Sequence, residues 1–166
     1  GLSGWRSKLA SGWTLNAIAD FQTGFPFTPE LSFNPSNNGD TRNPDRPSWN
    51  PEFRGPVILG SPGRYFNPAA FVTPVNGTYG NAGRNILTGP GLKTTDFSLI
   101  KNTNLSEKVS LQFRAEFFNL FNTVNFNTPN PVVFTSESGI PSSTAGQITG
   151  TSTASRQIQL GLKLIW

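Results

Sequence analysis

Cysteine, histidine and methionine are all absent from the 166-residue chain, and each absence narrows what it can do. Without Cys there is no disulfide framework, thiol nucleophile or thiolate metal site. Without His the commonest general base and the commonest metal ligand are gone. No apolar run approaches the ~18 residues of a membrane-spanning helix, so a place in a membrane would have to be taken by strands. The basic excess is small, a net charge of +4. Lys and Arg fall singly or in loose pairs such as Arg6 and Lys8, without the clustered stripe that nucleic acid requires, and nucleic acid is not an expected partner. The chain opens Gly-Leu-Ser-Gly-Trp with no initiating Met. It therefore reads as a piece of a longer protein, in which the lack of a signal peptide says nothing about export.

What is present is organised by proline. Eleven of the fourteen prolines lie between Pro26 and Pro90 and the other three between Pro129 and Pro141. Because proline cannot donate to a β-ladder, paired strands are expected in the Pro-free windows. Period-2 alternation picks out four of them, at about residues 12–22, 92–103, 108–118 and 156–166. In the first, Trp13, Leu15, Ala17, Ala19 and Phe21 share a face, with one lapse at Ile18. In the second, keeping Asp96 away from an apolar surround puts Phe97 and Leu99 on the apolar face. The third is the clearest, with Val109, Leu111, Phe113, Ala115 and Phe117 against Lys108, Ser110, Gln112, Arg114 and Glu116. The fourth sets Ile158, Leu160, Leu162, Leu164 and Trp166 against Gln157, Gln159, Gly161 and Lys163. Each is near the ~9 to 11 residues that cross a bilayer at a tilt.

The expected fold class is all-β, a run of four antiparallel transmembrane strands. Only Asn104 to Glu107 separates the second and third strands, whereas residues 25–91 and 121–155 form long Gly/Pro/Asn/Ser-rich connections, longer than compact soluble domains favour. Short turns at one end and long loops at the other are the asymmetry of outer-membrane barrels, with the long loops extracellular. It also places Trp13 and Trp166 at one membrane interface, where an amphipathic ring is favoured. The competing reading is a secreted all-β binding module, such as a carbohydrate-binding sandwich, whose buried faces alternate in the same way. Outward residues must pair with outward residues. A three-residue turn at Asn104 to Ser106 would pair Phe97 with Phe113, Leu99 with Leu111 and Asp96 with Arg114. The register shifted by two would instead oppose Asp96 and Glu116, which is unfavourable.

Two resemblances sharpen this. Gln159, Gly161, Leu164 and Trp166 resemble the C-terminal β-signal of outer-membrane barrels, which implies recognition by the barrel-assembly machinery. Gly12-Trp13-Thr14-Leu15 through Asp20-Phe21-Gln22-Thr23-Gly24-Phe25-Pro26-Phe27, then Arg64-Tyr65-Phe66-Asn67-Pro68-Ala69-Ala70-Phe71, Gly83-Arg84-Asn85, and Phe113 through Asn122 resemble the last strands of TonB-dependent outer-membrane receptors. The closest likeness is to the Oar-like, carboxypeptidase-regulatory-domain type. The resemblance implies the last four strands of a barrel of about 22 in the bacterial outer membrane, embedded in its lipid. It also implies a plug domain upstream, energy supplied by the TonB complex, and energised uptake of a bulky ligand that the sequence does not identify: a siderophore, an oligosaccharide or a peptide.

Candidate sites are weighed against plainer explanations. Asn34, Asn37, Asn38, Asp40, Asn43 and Asp45 offer oxygen ligands for Ca²⁺, but without the spacing or the glutamate of an EF-hand; the same residue types are those that turns select. Trp49, Phe53, Tyr65, Phe66 and Phe71 offer a ligand surface on the long loop, or else a small core that keeps the loop ordered. Asp20, Asp96, Arg114 and Glu116 are expected to line a polar barrel interior. No nucleophile-base pair accompanies them, so neither catalysis nor a cofactor is expected. Gly80, Gly83, Gly89 and Gly91 lack the spacing of a phosphate loop.

Overall fold

The computed structural model describes residues 5–40 and 42–166, and the chain divides into two compact units. The first contains four long strands: β1 (Trp13–Gln22), β2 (Leu92–Asn104), β3 (Ser110–Phe118) and β4 (Gln157–Ile165). They form one antiparallel sheet in chain order. Side chains in a strand alternate between faces, so the register settles which residues lie together. Leu15 opposes Leu99, Ala115 opposes both Leu99 and Leu160, and Phe113 opposes Leu162. All four apolar stripes therefore fall on one face, and Asn16, Ser98, Glu116 and Gln159 fall on the other.

Pairing of like faces agrees with the expectation, but the β2–β3 register does not. Phe97 pairs with Phe117, four residues further along β3 than Phe113, while Phe113 opposes Lys101, and Leu99 opposes Ala115 rather than Leu111. The cause is a longer turn. Lys108 and Val109, expected in the strand, belong to the connection, where the Val109 carbonyl accepts from the amides of Leu105 and Ser106 at 2.9 and 3.0 Å. Asp96 does not meet Arg114 across the sheet: its Oδ1 accepts the Asn119 amide at 2.9 Å. Arg114 opposes Ile100 and reaches along its own strand to Glu116, at 3.7 Å. The offset also brings the Phe97 and Phe117 rings together, with centroids 6.1 Å apart, an aromatic contact of the kind that stabilises a cross-strand pair.

A six-residue helix, α1 (Trp5–Ala10), precedes the sheet. Its C-terminal turn is closed by Ser11, whose amide and hydroxyl both donate to the Ser7 carbonyl, and by the Trp13 indole, which donates to the Leu9 carbonyl at 2.8 Å.

The second unit comprises residues 23–91 and 125–152, the greater part of both long connections. These are not loose loops. Phe27, Leu31, Phe66, Ala70, Phe71, Ala82 and Leu87 from the first connection are buried together with Val133, Phe134 and Ala145 from the second. Fully burying rings such as Phe66 and Phe134 stabilises by about 1.5 to 3 kcal/mol each. Short pairings bind the pieces: Glu30–Leu31 runs parallel to Val132–Phe134, Pro26–Phe27 pairs with Leu87–Thr88, and Ser48–Trp49 pairs with Phe71–Val72. Gly24 is obligatory at its crossing, because a Cβ there would lie 1.7 Å from the Gly89 carbonyl oxygen.

Candidate functional site

The sheet presents two chemically different faces. On one, large apolar side chains stand open to their surroundings: Leu15, Phe21, Leu160 and Leu162 are 64 to 73% exposed. A sandwich in water would bury such a face, because each large side chain left in water forgoes about 1.5 to 3 kcal/mol. The opposite face carries Asn16, Asp20, Gln112, Arg114, Glu116, Gln159 and Lys163. It holds a depression of about 320 Å³ lined by Gln112, Arg114, Glu116, Gln159, Gly161 and Lys163, with Leu162 at its margin. Asn16 donates to Ser98 at 3.2 Å and Gln112 to Asn102 at 2.9 Å across this face. A hydrogen-bonded, water-accommodating surface backed by a bare hydrocarbon one is what a membrane barrel wall requires.

Lysine marks the edges of the apolar face. On β2, Lys93 opposes Phe21 and Lys101 opposes Trp13, with Thr95, Phe97 and Leu99 between them. Lys101 is 92% shielded from solvent, yet its ammonium is satisfied: it donates to the Lys8 carbonyl at 2.5 Å and to the Ser11 carbonyl. A long stem on an apolar surface with its charge turned to polar groups is snorkelling. This residue escaped the sequence reading, although its odd number on β2, in step with Phe97 and Leu99, already assigns it to that face. Trp13 lies on this face toward the end of the sheet that bears the 105–109 turn, and Trp166 follows the last strand residue at that same end.

The four β-signal positions lie along β4 and just past it. Gln159 opposes Glu116, Gly161 opposes Arg114 and Leu164 opposes Leu111. Trp166 follows the last strand residue and is 88% exposed. Gly161 is not a steric necessity, because an added Cβ would meet only the Arg114 Cβ, at 3.9 Å, an ordinary contact.

The motifs between the strands prove to be builders of the scaffold. Asn119 and Asn122 both adopt left-handed backbone, φ 51° and 52°, which Asn tolerates better than most residues. The Asn119 side chain donates to the Thr123 and Ala154 carbonyls at 3.0 and 3.1 Å, and Asn122 Oδ1 accepts the Arg156 amide at 2.9 Å. Together they staple the exit of β3 to the approach of β4. In the Arg64–Phe71 stretch, Asn67 caps a short 3₁₀ turn by accepting the Ala69 amide, and Phe66, Ala70 and Phe71 enter the core.

That placement corrects the loop-aromatic surface: Phe66 and Phe71 are sealed in the core, and Phe53 and Tyr65 pack against it. Trp49 stacks on Phe71 with centroids 4.9 Å apart and keeps one side open. The core reading wins because apolar burial is what orders these connections. The Asn/Asp cluster is occupied with turns. Asp40 accepts the Arg42 and Asn43 amides and the Asn43 side chain, and these bonds hold its carboxyl below the ordinary aspartate range. Asp45 accepts the Ser36 amide. No helix among the described residues is long and apolar enough to cross a membrane.

Comparison with protein families finds a match to the outer membrane beta barrel domain over residues 1–159, a span that takes in β1, β2 and β3 and ends inside β4. Neither the comparison with curated proteins nor that with solved structures gives a match. The matched span and the two-faced sheet agree, and they displace the alternative of a secreted, soluble module. The chain belongs to the outer membrane beta barrel domain family, and its place is the bacterial outer membrane.

Proposed function

We propose that this chain is the C-terminal part of a TonB-dependent receptor, supplying the last four of about 22 strands and two interlocked extracellular loops to an importer of a bulky nutrient. Four strands with two free edges do not close a barrel, for which about eight is the smallest number, so the remaining wall, the plug and the TonB-contacting segment belong to the rest of the parent. The reading is carried by the set of motifs that resemble that family. Each has a definite structural task here: Gly24 at a backbone crossing, Asn67 capping the turn that delivers Phe66 and Phe71, and Asn119 and Asn122 joining β3 to β4.

In this reading the wall does no chemistry and holds no cofactor. Asp20, Arg114 and Glu116 keep the lumen wet, and Gln159, Gly161, Leu164 and Trp166 address the nascent barrel to its assembly machinery. The test is direct binding of the purified periplasmic domain of TonB to the detergent-folded, full-length parent, measured by surface plasmon resonance. Saturable binding is expected. Its absence from a parent that is folded, as judged by heat-modifiable migration, would overturn the proposal.

A further inference from the structure

We propose that α1 lies in the phospholipid leaflet at the short-turn end of the sheet, and that Arg6 and Lys8 there bind the phosphate groups of anionic glycerophospholipids. The inference needs no transport activity. It rests on the membrane facing of the sheet and on the reading that the long connections lie outside, which puts the opposite rim at the phospholipid leaflet.

The place of α1 is fixed by side chains of known facing. Trp13 and Lys101 leave the sheet on its apolar face, and both reach the end of the helix: the Trp13 indole donates to the Leu9 carbonyl at 2.8 Å, and the Lys101 ammonium donates to the Lys8 and Ser11 carbonyls. The joint between helix and strand is equally constrained. The Asn102 amide donates to the Gly12 carbonyl at 2.9 Å, and Gly12 adopts left-handed backbone, φ 74°, so close to the Asn102 carbonyl oxygen that a Cβ would overlap it. The C-terminal turn of α1 therefore sits on the membrane side of the rim, not on the lumen side.

The surface that α1 presents is that of an interfacial helix. Trp5 and Leu9, at i and i+4, share one face, and they are 67 and 60% exposed. In water a helix of six residues would gain nothing from these side chains, because helices so short depend on tertiary burial. At a bilayer surface the same two side chains extend the apolar face of the wall, and a tryptophan ring suits that depth.

The accompanying charge is of one sign. Arg6 and Lys8 are exposed, and the sequence holds no acidic residue before Asp20. No carboxylate of the described residues lies within ion-pair distance of either. The Arg6 guanidinium stands 5.5 Å from the centre of the Trp5 ring, so a cation and an interfacial ring are presented together. Beside Lys8, where β1 has ended and β2 runs on to Asn104, a depression of about 340 Å³ is lined by Lys8, Ser11, Gly12, Asn102, Thr103 and Asn104. It offers an ammonium, hydroxyls and carboxamides and no carboxylate, a donor-rich lining that suits phosphate oxygens. A zwitterionic headgroup would bring its own cation to this basic rim, so a net-anionic headgroup is favoured.

The experiment uses the full-length parent, folded and placed in nanodiscs of phosphatidylethanolamine, alone or mixed with phosphatidylglycerol or lipopolysaccharide. A bimane fluorophore is attached at Leu9→Cys or, in a second sample, at Leu162→Cys, with any other cysteine of the parent replaced, and the phospholipid carries brominated acyl chains. Quenching is expected at both positions. Binding of fluorescent phosphatidylglycerol to the parent in detergent should weaken about ten-fold or more in the double variant Arg6→Gln, Lys8→Gln, each basic residue near an anionic surface contributing roughly five-fold. Lys163→Gln, which removes a charge from the lumen face, should leave that affinity unchanged. Heat-modifiable migration checks that every variant is folded. No quenching at position 9, an affinity unchanged in the double variant or lowered as much by Lys163→Gln, or a preference for lipopolysaccharide over phosphatidylglycerol would overturn the inference. Shielding of position 9 that needs a second copy of the chain or a protein partner would overturn it as well. Quenching at 162 without quenching at 9 removes only the helix proposal, whereas absence of quenching at both removes the lipid facing of the sheet.

Discussion

The ammonium of Lys101 lies 5.3 Å from the centre of the Trp13 ring, at the edge of the sheet's apolar face. From there it caps the C-terminal end of α1 through the Lys8 and Ser11 carbonyls. Lys101→Met keeps the stem and removes the charge. It should weaken the docking of α1 by about 1 to 3 kcal/mol, the combined scale of a cation–π contact and a charge-assisted hydrogen bond. Hydrogen exchange in the folded parent should then quicken across residues 5–12 while β2 and β3 amides keep their protection. Unchanged exchange in α1 would show that the contact has no energetic role.

The facing of β4 predicts an asymmetry between neighbouring positions. Leu162 stands on the hydrocarbon face and Gln159 on the wet one. An arginine near the midplane of the lipid side costs about 2 to 4 kcal/mol, so Leu162→Arg should lower the folding free energy of the parent in bilayers by that amount. Gln159→Arg should change it little. Equal effects in urea titrations of both variants would reverse or erase the assignment.

Register is open to chemical reading because the chain has no cysteine of its own. Phe97→Cys with Phe117→Cys places the two thiols on directly paired residues, within the separation a disulfide spans, and oxidation should link them. Phe97→Cys with Phe113→Cys separates them by four strand residues, roughly 13 Å, and should stay reduced. Mass spectrometry of peptides from the oxidised parent distinguishes the two registers.

The β-signal residues yield a prediction that separates recognition from packing. An alanine Cβ at position 161 meets nothing closer than 3.9 Å, and alanine favours a strand at least as well as glycine. Gly161→Ala should therefore leave the thermal stability of the folded parent unchanged or slightly higher. If the assembly machinery reads this position, the variant should nevertheless accumulate less folded protein in outer membranes, as should deletion of Trp166. Lowered stability of purified Gly161→Ala would assign the glycine a packing role instead.

The strands were legible because their cause is local. A strand between lipid and water shows its alternation along most of its length, and proline cannot take part in a ladder as a donor, so the windows containing Leu15, Leu99, Phe113 and Leu162 announce themselves. Register was not legible, because it depends on how many residues the turn absorbs. Charge pairing favoured Asp96 with Arg114, but the backbone around Asn119 claims the Asp96 carboxylate and the turn takes in Lys108 and Val109. The loop unit was the least legible part. Leu31, Val133 and Phe134 follow no common period, and Pro/Gly-rich composition reads as open loop until the partner segment is known.

The core that joins Leu31 to Val133 has a bearing on inheritance. The two long connections bury their apolar residues in one shared core, so the two form one heritable module although they are written in separate stretches of the gene. A recombination that imports residues 23–91 from a relative without residues 125–152 would set mismatched halves of a hydrophobic interior against each other. Diversification of the outer surface should accordingly proceed by paired replacement, leaving the intervening β2–β3 hairpin as the part that stays put.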